Sequence, residues 1–203
     1  LSPLLQNLSF GLAWASDGVI ALGDSRNRRI RLFDAEGKIL EEWGKEGKGE
    51  EGTFSYPRDF AFAPEGSLWV ADEGYSVRAH LQRFSRKGEF LQKIELSPKV
   101  LGEKGIYGPS AVVVTDSGKI AVAGVTDIKD GKARILVFAP SGELFAAWEP
   151  EGMEEVVALA SLPEDLLVLT EPRPEEERGG FFRVYDLKGN KLRQWPFYGT
   201  DLP

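Results

Sequence analysis

Apolar residues in this chain fall into short runs with a period of two, divided by glycine-centred turns, and no stretch carries a sustained helical period. The runs come in groups. Each group opens on a strand that alternates large and small side chains: Leu12 and Trp14 with Ala13 and Ala15, Phe60 and Phe62 with Ala61 and Ala63, then Val112 and Val114, and last Leu159 ahead of Ser161. No polar face shows in these strands, which predicts cover on both sides. Turns follow at Ser16-Asp17-Gly18, Pro64-Glu65-Gly66, Asp116-Ser117-Gly118 and Pro163-Glu164-Asp165. Their glycines supply the positive φ that a tight hairpin needs.

Second strands are predicted over 19–22, 68–71, 120–123 and 166–169, and third strands over 29–33, 80–84, 134–138 and 182–185. Fourth strands at 39–43 and 90–94 carry Glu41, Glu42, Gln92 and Lys93, so they read as the outermost edges. A further regularity ties third strand to fourth. Phe33, Phe84, Phe138 and Tyr185 each stand four residues before a glycine, and Trp43, Ile94, Trp148 and Trp195 each stand six after it. Those glycines are 51, 54 and 47 residues apart, a period that marks a repeat architecture. Four meandering strands per unit describe the blades of a β-propeller. The expected fold is all-β, one propeller domain or fragment over 1–203, with four-stranded antiparallel blades at about 9–44, 57–96, 109–149 and 155–197.

Composition narrows the partners more than the fold. The 203 residues carry 25 basic and 32 acidic side chains, a net charge of −7. That weighs against nucleic acid, which needs a basic face. Cysteine is absent, which removes disulfides and thiolate metal sites. No apolar run approaches membrane-spanning length. The chain starts at Leu1 with no signal-peptide pattern, so the expectation is a removed leader or an excerpt of a longer protein, with a slight lean towards an extracytoplasmic prokaryotic setting.

The stretch GDSRNRRIRLFDAEGKILEEWGKEGKGEEGTFSYPRDFAFAPEGSLWVAD resembles NHL repeats. Asp24-Ser25, Asn27, Arg29-Ile30 and the linker ending Phe54-Ser55-Tyr56-Pro57 carry the likeness, and Asp72 keeps the acidic position after the second strand. Gly124 and Glu171 replace that acid later, so the motif covers about the first half of the chain. The resemblance implies a six-bladed propeller. Four blades account for the residues present, and Pro203 falls where Pro57 and Pro109 open their blades. The expectation is therefore an incomplete six-bladed propeller, completed by blades of a larger chain or by a second copy. The alternative is a closed four-bladed ring with Leu4–Leu8 paired to the last blade.

In a propeller the loops between second and third strands share one face with the inter-blade linkers, and here those segments are long and varied. Arg29, Tyr56, Arg58, Tyr75, Arg78, Tyr107, Arg173 and Arg178 on that face are the candidate contacts, because Tyr and Arg make efficient interface anchors; the competing role for each is packing at a blade junction. Asp24 and Asn27 suit a turn-capping role, with Asn tolerant of left-handed backbone. His80 is the lone histidine, so a multi-histidine zinc site is impossible. Gly47-Lys48-Gly49-Glu50-Glu51-Gly52 spells a dinucleotide fingerprint without the helix, and with two carboxylates where pyrophosphate would sit. Asp127–Gly131 lacks the later ligands of a calcium loop, and Glu171–Arg178 reads as a solvated loop.

No cofactor, metal or catalytic residue is expected from these residues. The resemblance brings two catalytic relatives into view, histidine-zinc amidating lyases and lactonases that hold a divalent ion at the inner-strand ends. Here those ends offer Gly11, Arg58 with Asp59, Ser110 and Val156, and one carboxylate makes no cage. The leading expectation is a binding or scaffold module for a protein or peptide. The alternatives are a metal-dependent lactonase- or lyase-like enzyme whose site lies partly outside this chain, or an RNA-binding NHL domain.

Overall fold

The computed structural model describes residues 11–74, 79–127, 131–156, 158–162, 165–169 and 181–196. Strands among those residues form four antiparallel sheets, each with its four strands in chain order. The first holds β1 (Leu12–Trp14), β2 (Ile20–Asp24), β3 (Arg29–Phe33) and β4 (Ile39–Trp43), and the second β5 (Pro57–Phe62), β6 (Leu68–Asp72), β7 (His80–Phe84) and β8 (Phe90–Glu95). The third holds β9 (Pro109–Val114), β10 (Ile120–Val125), β11 (Ala133–Phe138) and β12 (Leu144–Trp148), and the fourth β13 (Ala158–Leu162), β14 (Asp165–Leu169), β15 (Phe181–Asp186) and β16 (Lys191–Pro196). One short helix, α1 (Pro98–Leu101), and a 3-10 turn over Gly102–Lys104 fill the linker between the second and third sheets. No helix among the described residues is long and apolar enough to cross a membrane.

The sheets fan about an axis. First strands touch in succession, β1 on β5, β5 on β9 and β9 on β13. The fourth strands β4 and β16 are largely exposed at the rim. This radial order gives the large–small alternation its meaning. Ala13 packs with Phe60 and Phe62 of the next sheet, Ala61 and Ala63 pack with Val112 and Val114, and Ala111 and Val113 pack with Leu159. The small side of each first strand thus receives the large side of the next, which lets neighbouring twisted sheets interlock near the axis.

A second joint repeats farther out. The Trp43 ring lies 4.7 Å from the Phe84 ring of the next sheet. The Trp148 ring lies 4.8 Å from Tyr185. Beneath each indole is the turn glycine of that next sheet: a Cβ built on Gly88 would stand 2.4 Å from Trp43 Cγ, and one on Gly189 2.5 Å from Trp148 Cγ. Ile94 takes the same place at the middle joint, packed with Phe138 and 3.4 Å from the corresponding point on Gly142. The spacing seen in the sequence is therefore a contact between blades. The aromatic and the glycine belong to one sheet, and the Trp or Ile that meets them belongs to the sheet before.

The expectation that every first strand is covered on both sides fails at the two ends. Leu12 and Trp14 are 65% and 71% exposed, and β13 is exposed along most of its length. Their faces have no neighbouring sheet among the described residues. β1 and β13 make no contact comparable to that between successive first strands. The four sheets form an open arc, not the closed four-bladed ring of the alternative. Leu4–Leu8, offered as the closing strand, lie outside the described residues.

Gly37 and Gly88 hold the same turn, at φ +82° and +80°, yet no described residue lies within 4 Å of a Cβ added to Gly37. Gly37→Ala is expected to cost about 1–2 kcal/mol of backbone strain alone. Gly88→Ala adds displacement of the Trp43 ring and should cost at least about 3 kcal/mol, within the range for core overpacking added to strain. Urea unfolding of the two variants measures the difference; equal losses would remove the joint from the account.

Candidate functional site at the mouth of the axial cleft

Asp72, at the end of β6, is fully buried. Its Oδ1 accepts the Tyr56 N–H at 2.6 Å, and its Oδ2 accepts the Ser55 N–H at 2.8 Å. Gly74 N–H adds a bond at 3.2 Å. A carboxylate with three backbone donors replaces its lost hydration and fastens the linker where it turns into β5. His80, the cross-strand partner of Asp72, is also fully buried. Its Nε2 lies 3.1 Å from Gln82 Nε2 and 3.6 Å from Asp72 Oδ2. Gln82 accepts from Gly52 N–H and donates to the Thr53 carbonyl, both at 2.8 Å, so its amide nitrogen faces His80. The sole histidine is thus part of the clamp on the linker.

The clamp presents Tyr56. Its half-buried ring has the Arg58 guanidinium 4.4 Å from the centroid on one contact and that of Arg28 6.0 Å away on another. Arg58 is paired with Glu73, its Nε 2.8 Å from Oε2. Arg28 is the only described non-glycine residue with positive φ, +54°. Its guanidinium folds back onto the carbonyls of Ser25 and Arg26, both at 2.7 Å, and Ser25 Oγ donates to the Pro57 carbonyl. Asp24 takes the Asn27 N–H on Oδ1 and the Asn27 amide on Oδ2. The left-handed residue of that turn is Arg28, one position after Asn27.

Bulges aim the next residues at the axis. In β5 the pairing steps from Pro57–Asp72 to Asp59–Ala71, and in β9 from Pro109–Gly124 to Ala111–Ala123. Arg58 and Ser110 are the extra residues, the re-aiming that bulges produce. Both line a cleft of about 470 Å³ between the first strands, together with Gly11, Asp59 and Ala158. Among the described residues that line it, Asp59 is the one carboxylate. Its Oδ2 accepts the Val112 N–H of the next sheet at 2.8 Å. Burial nevertheless outweighs the bonds from Val112 and Phe60 and pushes its pKa up to about 6.

Of the residues expected on this face, the structure unites Tyr56 and Arg58. Arg29 reaches across to Glu42 on β4 at 2.6 Å and is half exposed. Tyr107 lies ahead of β9, half-buried, its N–H on the Val125 carbonyl at 2.9 Å. Tyr75, Arg78, Arg173 and Arg178 lie outside the described residues. Residue type alone does not point to Arg28 or Glu73, and by type Asp59 suggests only a lone metal ligand. Asp59 did have a signal: it is the sole charged residue among the equivalent positions Gly11, Asp59, Ala111 and Ala158. Among the described residues, no three His, Cys, Asp or Glu side chains are grouped closely enough to hold a metal ion. The glycine-rich linker uses its own anion: Glu50 accepts the Lys48 N–H at 2.7 Å and the Thr53 hydroxyl at 3.2 Å.

No protein-family model matches the chain. It is 25% identical to the Drosophila melanogaster protein brain tumor over 134 residues, which is 66% of this chain and 12% of that protein. A catalytically inactive virginiamycin B lyase from Staphylococcus aureus, determined with quinupristin, superposes with a TM-score of 0.63 at 18% identity, over 96% of this chain and 57% of the lyase. A gluconolactonase from Xanthomonas campestris superposes at 0.63 and 16% identity, over 94% of this chain and 62% of that one. At these identities the likeness concerns the fold: the chain is a partial β-propeller. It spans about three-fifths of those structures and a small part of the fly protein.

Asp59 gives the site a pH signature. Below pH 3.8 its carboxyl is protonated in both states; between 3.8 and about 6 the unfolded chain loses the proton while the folded one keeps it. Stability therefore falls as pH rises through that window, and the whole cost is present above it. Asp59→Asn keeps an acceptor for Val112 and removes the charge. It is expected to stabilise the fold near neutrality by about 1–3 kcal/mol, at roughly 1.4 kcal/mol per pKa unit. The gain should vanish below pH 3.8, as read from paired unfolding curves. A gain independent of pH would contradict the buried charge.

Proposed function

We propose that the chain belongs to a propeller-type binding module that captures an extended protein or peptide segment across the loop-bearing mouth of the axial cleft. The observation that carries this is Tyr56, a half-buried ring held beside two guanidiniums and fixed through its own backbone by buried Asp72. Rigid aromatic and arginine anchors lose little entropy on binding and dominate interface energetics. The bulged Arg58 and Ser110, with the Asp59 carboxyl, offer donors and acceptors to a peptide backbone at the same mouth. The resemblance to NHL repeats and the weak identity to a fly protein support the propeller scaffold on which this reading is built.

A second reading, an enzyme whose centre is completed by residues beyond this chain, draws on one observation: Asp59 stands in the axial cleft with a pKa near 6, where a general acid or base works. The likeness to a gluconolactonase adds only a shared scaffold.

A displayed library of short linear peptides, selected on the purified chain, separates these readings. Enriched peptides should bind the wild type and lose about thirtyfold in affinity with Tyr56→Ala, the loss typical of a dominant anchor, while the unfolding midpoint stays in place. Peptides that ignore Tyr56, or a library that yields none, would sink the proposal. Salt-sensitive binding of a single-stranded oligouridylate, or hydrolysis of a lactone by the same preparation, would replace it with the RNA or enzyme reading.

A further inference from the structure

The two open ends of the arc are the two halves of the joint that the chain repeats three times within itself. At each internal joint a small-sided first strand receives a large-sided one, and a Trp or Ile of the earlier sheet packs on the turn glycine and aromatic of the later sheet. The first sheet presents the receiving half with nothing in it among the described residues. Leu12 and Trp14 are exposed, Phe33 is half-buried, and no described residue reaches the space over Gly37. The fourth sheet presents the inserting half with nowhere to go. Ala158 and Ala160 are exposed on β13, and Trp195, the counterpart of Trp43 and Trp148, is 46% exposed on β16. One chain does not join these ends, since β1 and β13 do not pack as successive first strands do.

We infer that two copies of this chain associate head to tail, the fourth sheet of one seating on the first sheet of the other. Trp195 then covers Gly37 and stacks beside Phe33 as Trp148 covers Gly189 beside Tyr185, and the small side of β13 receives Leu12 and Trp14. The occupant is a second copy because both complementary surfaces are on this chain, and the new contact continues an interface already built three times. The contact is heterologous, so it propagates unless it closes. Two copies supply eight sheets, the upper end of the range over which propellers commonly close. Burying two faces of this kind also removes an apolar liability that sheet proteins seldom leave bare.

Light scattering coupled to size exclusion, over a hundredfold dilution series, reads the outcome. The wild-type chain should show a mass of at least twice the 22.4 kDa of one chain. Trp195→Ala, and separately Phe33→Asp or the more exposed Leu12→Asp, should each weaken association by at least about tenfold, the loss expected for a central aromatic anchor. Mixing Trp195→Ala with Leu12→Asp should restore a dimer. One intact socket and one intact knob remain between the two variants, a rescue that a two-fold symmetric interface cannot give. A wild-type monomer throughout, an assembly indifferent to these substitutions, or no rescue on mixing would each overturn the inference. A monomer would assign the two faces to sheets other than this chain's own.

Discussion

The arrangement depends on one contact, a large side chain laid flat over a glycine on the neighbouring sheet. Trp43 over Gly88 and Trp148 over Gly189 bring ring carbons nearer to the backbone than any side chain at those positions would allow. Among the described residues, neither indole N–H has a hydrogen-bond partner. An unmet buried donor costs about 1–3 kcal/mol, so the packing of the ring must outweigh that loss. A tryptophan buries on the order of 200 Å², worth several kcal/mol at the usual transfer coefficient. Ring contact wins over polar satisfaction here.

The joint also sets the site. Sheets fixed at the rim by these rings, and near the axis by alternating small and large side chains, leave the loop-bearing ends of β5 and β9 side by side. The linkers then need local anchorage, and the second sheet supplies it with Asp72 and Gln82. The third sheet reaches the same end differently. A Cβ on Gly124 would stand 2.6 Å from the Gly108 carbonyl oxygen and 2.6 Å from Ile106 Cδ1. Linker backbone occupies the room that a carboxylate would need, and Tyr107 N–H bonds directly to the Val125 carbonyl. The loss of the acidic residue at Gly124, seen in the sequence as a weakening of the repeat, is a change of fastening with the geometry kept.

The fold was legible because its signals are local and repeated: period-two runs, glycine turns, and an aromatic and a tryptophan at fixed offsets from the same glycine. The direction of each contact was not legible. Spacing alone does not say that Trp43 meets Phe84 and Gly88 of the following sheet while Phe33 stands nearer to it in sequence. Exposure at Leu12 and Trp14 was misread for a related reason, since alternation reports what a face is made of and not whether a neighbour is present. At the candidate site, Tyr56 and Arg58 stand out by residue type, while Glu73 and Arg28 depend on loop geometry that no short pattern encodes. Asp59 carries no motif. Its significance comes from burial and from the Val112 N–H on another sheet, 53 positions away in the chain.

A double-mutant cycle across one internal joint tests the central claim most directly. Trp148→Ala, Tyr185→Ala and the double variant, unfolded in urea, give the coupling between two rings 4.8 Å apart on successive sheets. Contact between the sheets predicts a coupling of about 1 kcal/mol or more, in the range for packed aromatic pairs. Losses that simply add, to within about 0.3 kcal/mol as for independent sites, would mean that the rings do not join the sheets and that the radial arrangement rests on something else.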